Sequence, residues 1–201
     1  MHIKVYTEPF HYIEVTNLWD KVEKKEMLDE MFHLEKKGIF KNPGDTGTAV
    51  NEDGIVLKKN KAIFVDDVWQ DRSFSNILKH NRKIFDLFNN ESVKESWFFD
   101  GLCINLDHTL MSYYEDSDYY KPHRDQSRVT VLSWFFKEPQ EFKGGSLTFT
   151  DYNLTFEVTN DLVILFPSNI KHEVSKISIS PKHRGIQKGR FCMAQFLNTK
   201  N

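Results

Sequence analysis

After Ser92 the apolar residues of this chain change to a period of two, and this pattern constrains the fold more than any other feature. Turn residues divide the region into eight candidate strands, at residues 101–114, 119–125, 128–137, 145–151, 154–158, 161–166, 171–177 and 190–197. Eight short strands in succession predict a β-barrel or a β-sandwich, with helices covering one side.

The first hundred residues carry the helical patterns. Apolar residues between positions 17 and 38 recur every three to four positions, which predicts an amphipathic helix that ends at Gly38. A second amphipathic helix is predicted to open at residues 71–73 and to continue to about Phe88. Short strands are predicted within residues 1–16 and at 62–65, and the turn-forming residues of 41–60 predict a long loop, whose role as an ordered lid the sequence leaves open.

These patterns indicate one domain over residues 1–201, of the α+β class and mainly β. Residues 1–100 would supply N-terminal strands and two supporting helices, and residues 101–201 would form the strand core. The chain has 201 residues, a hydrophobic share of 39% and 17 Phe, which is enough for a packed interior.

Charge and cysteine content exclude several classes of function. The formal net charge is −2, so no basic excess indicates binding to nucleic acid. No segment reaches the roughly 18 apolar residues of a membrane helix, and the N-terminus lacks the apolar run of a signal peptide, so we expect a cytoplasmic protein without a membrane partner. The two cysteines, Cys103 and Cys192, are far apart and predict neither a disulfide framework nor a zinc ribbon.

A histidine and a carboxylate two positions apart mark the candidate functional site. His123 and Asp125 lie in a predicted strand, where side chains two apart share a face and Arg124 points the other way. An Fe(II) site of the two-His, one-carboxylate kind needs one more histidine. His172 is the candidate, because it follows the apolar strand 162–166 and a turn at 167–169.

Around these residues the sequence resembles a known family, the Fe(II)- and 2-oxoglutarate-dependent oxygenases, in the branch similar to prolyl 4-hydroxylase. The resemblance rests on segments in family order: Tyr114 ahead of 120–125 (YKPHRD), 128–132 (RVTVL), 144–147 (GGSL), 167–174 (PSNIKHEV) and 189–191 (GRF). It implies a double-stranded β-helix, or jelly roll, with the metal inside its open end.

The resemblance also assigns roles to individual residues. It implies that His123, Asp125 and His172 bind Fe(II) and that Arg190 anchors the C5 carboxylate of 2-oxoglutarate, since a guanidinium can hold a carboxylate through two hydrogen bonds. By strand alternation, an inward Arg190 would place the small residues Cys192 and Ala194 inward too.

Several of these assignments have competitors. The anchor commonly follows the second histidine by about ten residues, whereas here a longer segment intervenes, which we interpret as a lengthened hairpin. Lys182 and Arg184 within it are competing anchors. Tyr114 and Trp134 match positions that contact the cosubstrate in the family, with ordinary core packing as the alternative for both. Gly144 and Gly145 are expected to allow a tight turn.

The implied activity is hydroxylation of an unactivated C–H bond, with 2-oxoglutarate converted to succinate and CO2. The resemblance favours a prolyl or another amino-acid residue as substrate, in a peptide or a small molecule. Fe(II), 2-oxoglutarate and O2 are the implied cofactors, with ascorbate as a further candidate.

Two alternatives remain open from the sequence: a Zn(II) hydrolase that uses the same His, Asp and His, and a catalytically silent binding module. The substrate and the oligomeric state are not indicated.

Overall fold

A computed structural model describes residues 1–46, 50–51 and 53–200 of the chain. Three sheets contain its strands, all paired antiparallel. The strands are β1 (His2–Tyr6), β2 (Tyr12–Thr16), β3 (Lys61–Phe64), β4 (Leu106–Tyr114), β5 (Tyr120–His123), β6 (Val129–Phe135), β7 (Phe142–Lys143), β8 (Leu147–Phe149), β9 (Leu154–Phe156), β10 (Leu162–Pro167), β11 (His172–Val174), β12 (Ser178–Ile179) and β13 (Arg190–Asn198).

Two of these sheets pack face to face. The large sheet has seven strands in the order β1-β2-β10-β6-β13-β4-β3, and the small sheet has four in the order β5-β11-β8-β9. Buried apolar residues from both sheets form one continuous core, with Trp134 and Ala194 from the large sheet and Phe149 and Val174 from the small one. We call the space between the two sheets the barrel interior.

Helices cover the other face of the large sheet. They are α1 (Lys21–Lys36), α2 (Val65–Val68), α3 (Asn76–His80) and α4 (Trp97–Asp100), joined by short 3-10 segments. A second core of buried residues lies here, including Met27 and Met31 of α1 and Phe191 and Met193 of β13. Successive residues of β13 thus alternate between the two cores, as the pleat of a strand requires.

The first predicted helix is present, and its start has a clear cause. The Asp20 carboxylate accepts hydrogen bonds from the backbone N–H groups of Val22 and Glu23, and the Glu23 side chain accepts one from the Asp20 N–H. This reciprocal pair is a capping box, which satisfies N–H groups that the first helical turn leaves without partners.

The prediction of a second continuous helix is wrong. Its sequence forms a 3-10 turn at Arg72–Phe74, the short α3, and a 3-10 helix at Asn81–Asn89. Asp71 and Ser75 each cap the segment that follows them, so the chain restarts at each one. Helical segments continue to Asp100, past the predicted change to strand period near residue 92.

The eight strands predicted after residue 101 are all present, each within a few residues of its predicted bounds. The predicted loop at 41–60 contains a 3-10 turn at Pro43–Thr46 and a bridge between Lys58 and Tyr120. Residues 47–49 and 52 of that loop lie outside the described residues. In the described part of the chain, no helix has the length and apolar character that crossing a membrane would need.

Candidate metal centre

The two predicted histidine ligands face each other on neighbouring strands of the small sheet. β11 pairs with β5 so that His172 lies directly opposite His123. Residues paired across two strands project to the same face, and these two project into the barrel interior, with their ring centroids 4.3 Å apart. Strand pairing therefore brings together two residues that lie 49 positions apart in sequence.

Asp125 completes the group, although it lies just beyond the strand in which it was predicted. β5 ends at His123, and Asp125 is held instead by its backbone N–H, which donates to the Ser168 carbonyl at 2.9 Å. One carboxylate oxygen lies 3.7 Å from His123 Nε2 and the other 3.6 Å from His172 Nε2. The three residues thus offer two nitrogens and a carboxylate oxygen, all within 4.8 Å of one another. This donor set is the one that Fe(II) oxygenase sites use.

Backbone carbonyls fix the orientation of both rings. His123 Nδ1 donates to the Lys121 carbonyl at 2.9 Å, and His172 Nδ1 donates to the Ile170 carbonyl at 3.0 Å, if each ring is protonated there. That tautomer leaves the lone pair of each Nε2 directed at the centre of the group. The Tyr120 ring stacks on the His123 ring with a centroid distance of 3.5 Å and an angle of 5°.

Burial acts differently on the two kinds of ligand. It favours the neutral histidine that a cation needs, and it disfavours the aspartate carboxylate, which a bound cation would stabilise. The pKa of His123 is lowered to about 3, first by burial and then by the neighbouring His172, so its ring is neutral at physiological pH. Burial raises the pKa of Asp125, whose Oδ2 accepts a hydrogen bond from Thr130 Oγ1 at 2.7 Å. A neutral imidazole and a carboxylate short of solvent are the forms that bind a divalent metal.

A cavity of about 690 Å³ opens beside the group. His123 and Asp125 form part of its wall. Apolar side chains line another part, including Leu57, Phe64 and Phe196. Ligand sites of this size typically combine an apolar wall with a few polar groups, so a substrate has a route to the candidate centre.

Arg190 lies at the start of β13, and its side chain is completely buried. Its place in the strand register is opposite Tyr114 of β4, and its guanidinium carbon lies 4.7 Å from the centre of the Tyr114 ring. Cys192 and Ala194 join the barrel-side core, whereas Phe191 and Met193 join the helix-side core. The structure thus directs Arg190 toward the barrel interior, as strand alternation predicted.

The positive charge of Arg190 lacks a counter-charge. Its Nη2 donates to the Gly145 carbonyl at 2.7 Å, while Nε and Nη1 are buried without a hydrogen-bond partner. Burial raises the pKa of the Cys192 thiol to about 11 and the pKa of the Tyr114 phenol well above its usual 10, so both stay neutral. Within residues 1–46, 50–51 and 53–200, no carboxylate forms an ion pair with Arg190. A buried guanidinium with two open N–H groups fits an anionic ligand such as a carboxylate.

The glycine pair predicted to allow a tight turn has backbone φ angles of +73° at Gly144 and +77° at Gly145. A Cβ atom on Gly145 would come within 2.8 Å of Arg190 Nε. Glycine at this position therefore allows the turn and leaves room for the guanidinium.

The segment between His172 and Arg190 contains the predicted extra length. β12 lies within it and pairs with β7, and a 3-10 turn follows at Pro181–His183. The competing anchors Lys182 and Arg184 are exposed on this segment. Arg184 forms an ion pair with Asp116 at 3.1 Å and donates to the Ile179 carbonyl. Their exposure leaves Arg190 as the only one of the three that is buried.

Tyr114 and Trp134 are both buried in the barrel-side core. Trp134 lies opposite Cys192, two residues along β13 from Arg190. Both side chains are thus in the region where the resemblance expects cosubstrate contacts, and both also pack as ordinary core residues. Their cosubstrate roles remain predictions.

The sequence did not identify the groups that hold Asp125. Thr130 Oγ1 contacts both the Asp125 carboxylate and Ser168 Oγ, which in turn contacts Ser127 Oγ at 2.6 Å. Hydroxyl residues are frequent in strands and turns, so their identity alone gives no signal. The one available clue was that Thr130 and Ser168 both lie within segments of the family resemblance.

Known proteins resemble this chain in sequence and in fold. Residues 109–198 match the family model described as 2OG-Fe(II) oxygenase superfamily. No curated protein sequence matches the chain at a significant level. Among solved structures, a prolyl-4-hydroxylase from Pseudomonas putida is similar at 13% identity and a TM-score of 0.66, covering 94% of this chain and 93% of that one.

Two other solved structures share the fold. One is a prolyl hydroxylase from Trichoplax adhaerens, in complex with a peptide fragment of hypoxia inducible factor, with 16% identity, a TM-score of 0.66 and coverage of 93% and 83%. The other is a viral collagen prolyl hydroxylase from Paramecium Bursaria Chlorella virus-1, in a 2OG complex, with 13% identity, a TM-score of 0.57 and coverage of 92% and 94%. The predicted resemblance is confirmed: residues 109–198 resemble the 2OG-Fe(II) oxygenase superfamily, and the jelly-roll-like fold of the chain is similar to that of prolyl 4-hydroxylases.

Proposed function

We propose that this protein is an Fe(II)- and 2-oxoglutarate-dependent oxygenase that hydroxylates a C–H bond of a prolyl or another amino-acid residue. The observation that carries the proposal is a pair of complementary features. A His, Asp and His group borders an open cavity, and a buried guanidinium without a counter-charge projects into the same barrel interior. The first fits a divalent metal, and the second fits the far carboxylate of a dicarboxylic acid.

His123, Asp125 and His172 would hold the iron, and Arg190 would hold the C5 carboxylate of 2-oxoglutarate. When bound, iron, 2-oxoglutarate and O2 together supply an oxidation that releases succinate and CO2 and places a hydroxyl group on the substrate.

The role of the protein's own side chains would be to position the metal and the cosubstrate. The carbonyls of Lys121 and Ile170 keep both histidines in the tautomer that exposes Nε2, and Thr130 fixes one oxygen of Asp125. The Tyr114 phenol remains protonated, so it can donate a hydrogen bond beside Arg190. The apolar barrel core restricts water around these groups, which strengthens the attraction between guanidinium and carboxylate.

A prolyl or other amino-acid residue is the substrate class that we favour. The cavity beside His123 and Asp125 has an apolar wall for the reacting side chain, and its volume of about 690 Å³ admits a short peptide segment. The Trichoplax structure contains a bound peptide, and that similarity in fold supports a peptide for this chain.

The test is an assay of 2-oxoglutarate turnover with Fe(II), across a panel of proline-containing peptides and free amino acids. We expect succinate release coupled to a mass gain of one oxygen in at least one panel member. Absence of succinate release with every member, by a protein that binds Fe(II), would contradict the proposal.

The same assay separates the alternative hydrolase and binding-module functions. A Zn(II) hydrolase would cleave its substrate without 2-oxoglutarate, and it would give Arg190 no task. A silent binding module would release no succinate under any condition.

A further inference from the structure

The chain has a second cavity, separate from the candidate metal centre. Its volume is about 540 Å³, and it lies on the helix side of the large sheet, beside the N-terminal half of α1. Its charged lining residues are five lysines, Lys21, Lys24, Lys25, Lys137 and Lys188, and two acidic residues, Glu138 and Asp161. It shares no lining residue with the cavity at His123 and Asp125.

Five lysines against two acidic residues make this cavity basic, although the whole chain carries a net charge of −2. We call it the lysine pocket. The five lysines come from three distant parts of the sequence: α1, the end of β6, and the residues just before β13. Their side chains therefore line one cavity only in the folded protein, where a bound anion could contact several of them.

Nearby acidic residues neutralise only part of this charge. Lys24 forms an ion pair with Asp161, and Lys25 forms one with Asp29 of α1. The Glu138 carboxylate accepts a hydrogen bond from Asn160 at 2.6 Å. Lys21 and Lys188 form no ion pair with any residue in the described ranges of the chain. These two lysines are the cations best placed to take a ligand.

Buried aromatic residues form the base of the pocket. Phe135 and Phe136 at the end of β6 are both buried, and Leu28 of α1 packs against the helix-side core. Lys137 Nζ lies 4.1 Å from the centre of the Phe32 ring on α1, which ties the end of β6 to the helix. The lysines thus surround a base of buried and partly buried apolar side chains.

We propose that the lysine pocket binds a multivalent phosphate anion carried by a small molecule. The volume of about 540 Å³ lies within the usual range for small-molecule sites. The cations are all lysines, which bind phosphate oxygens as point charges and lack the paired geometry that arginine offers. A multivalent anion can contact several such charges at once. This site is independent of the proposed oxygenase function.

Inorganic tripolyphosphate is the probe, titrated by calorimetry into the whole chain without added metal, because it chelates divalent ions. The test variant replaces Lys21, Lys137 and Lys188 with Gln, leaving the Lys24–Asp161 and Lys25–Asp29 ion pairs intact. The matched control replaces the exposed residues Lys4, Lys79 and Lys182 with Gln, which removes the same charge outside the pocket. We expect affinity to fall about tenfold or more in the test variant and to change less than about twofold in the control.

A gain of affinity gives a second test that misfolding cannot imitate. Glu138→Gln removes a negative charge from the pocket and should tighten tripolyphosphate binding several-fold. The proposal is overturned if tripolyphosphate does not bind, if both triple variants lose affinity equally, or if Glu138→Gln has no effect. It is also overturned if a hexaglutamate peptide binds as tightly as tripolyphosphate, since the pocket would then recognise acidic protein segments.

Discussion

The two faces of the large sheet have the same strands and serve different purposes. On the helix side, β13 contributes Phe191 and Met193 to a core of apolar side chains, and both are completely buried. On the barrel side the same strand contributes Arg190, Cys192 and Ala194, of which the first is a buried charge and the other two are small. One face therefore maximises apolar packing, while the other accepts a buried charge in the same barrel interior as the candidate metal centre. Substitutions of buried residues should therefore impair activity or cosubstrate binding on the barrel side and lower stability on the helix side.

The largest expected effect is on the barrel side. His172→Ala removes one of three metal ligands, so coupled turnover should fall by about a thousandfold or more, which corresponds to about 4 kcal/mol. The measurement is succinate release together with Fe(II) binding, and the melting temperature should stay close to that of the unaltered protein. His108→Ala, at an exposed position of β4, is the control. Unchanged turnover in His172→Ala would remove that residue from the centre.

On the helix side, the corresponding change should affect stability alone. Phe191→Ala deletes a completely buried ring that packs on Phe32 with centroids 5.1 Å apart. Loss of the ring and the resulting cavity should lower the free energy of unfolding by about 3–5 kcal/mol. Urea denaturation measures this loss. At a temperature where the variant is folded, its KM for 2-oxoglutarate should be unchanged, and a raised KM would show that the two faces are coupled.

Arg190→Met sharpens the comparison, because Arg190 precedes Phe191 in β13 and its side chain projects from the opposite face of the sheet. Removal of the guanidinium should weaken 2-oxoglutarate binding by about 30- to 100-fold, or about 2–3 kcal/mol, while Fe(II) binding persists. Calorimetric titration of 2-oxoglutarate in the absence of O2 measures the binding.

The stability of Arg190→Met should be equal to that of the unaltered protein or higher, since a buried charge without a counter-ion is replaced by an apolar chain. Arg184→Met is the matched control, and it should leave 2-oxoglutarate affinity unchanged. If the control instead weakens binding and Arg190→Met does not, the anchor is Arg184.

The smallest expected effect concerns a buried carboxylate between β4 and β5. Burial raises the pKa of Asp118 from its usual value to about 6, although Lys59 lies 3.8 Å away. Because its pKa is higher in the folded state than in the unfolded state, the folded protein binds the extra proton between about pH 4 and pH 6, and ionisation destabilises it as pH rises through that range.

Asp118→Asn should therefore gain stability relative to the unaltered protein as pH rises from 4 to 6, by on the order of 2 kcal/mol, and the difference should level off above pH 6. Denaturation curves at several pH values measure it. A difference between the two proteins that does not vary with pH would contradict the raised pKa.

Much of this structure could be predicted from local pattern. The strands after residue 101 follow from alternation, and the same alternation predicted that Arg190, Cys192 and Ala194 share a face. The His123 and Asp125 spacing predicted a shared cavity, which holds even though the strand ends before Asp125.

Other features depend on contacts that local pattern does not contain. The second predicted helix is divided because Asp71 and Ser75 cap short segments, a competition that apolar periodicity does not register. The choice of Arg190 over Lys182 and Arg184 needed burial, which depends on how the long hairpin folds.

The lysine pocket shows the same limit. Its cations lie far apart in sequence, and α1 alone has the appearance of a solvated helix face with mixed charges. The docking of α1 against the end of β6 brings those charges together.

The most direct test of the central claim is a crystal structure of the protein with Mn(II) in place of Fe(II) and with 2-oxoglutarate. The account predicts an anomalous peak for the metal between Nε2 of His123, the carboxylate of Asp125 and Nε2 of His172, with a 2-oxoglutarate carboxylate on the guanidinium of Arg190. A metal bound elsewhere, or a cosubstrate carboxylate held by Lys182 or Arg184 with Arg190 uncontacted, would contradict it.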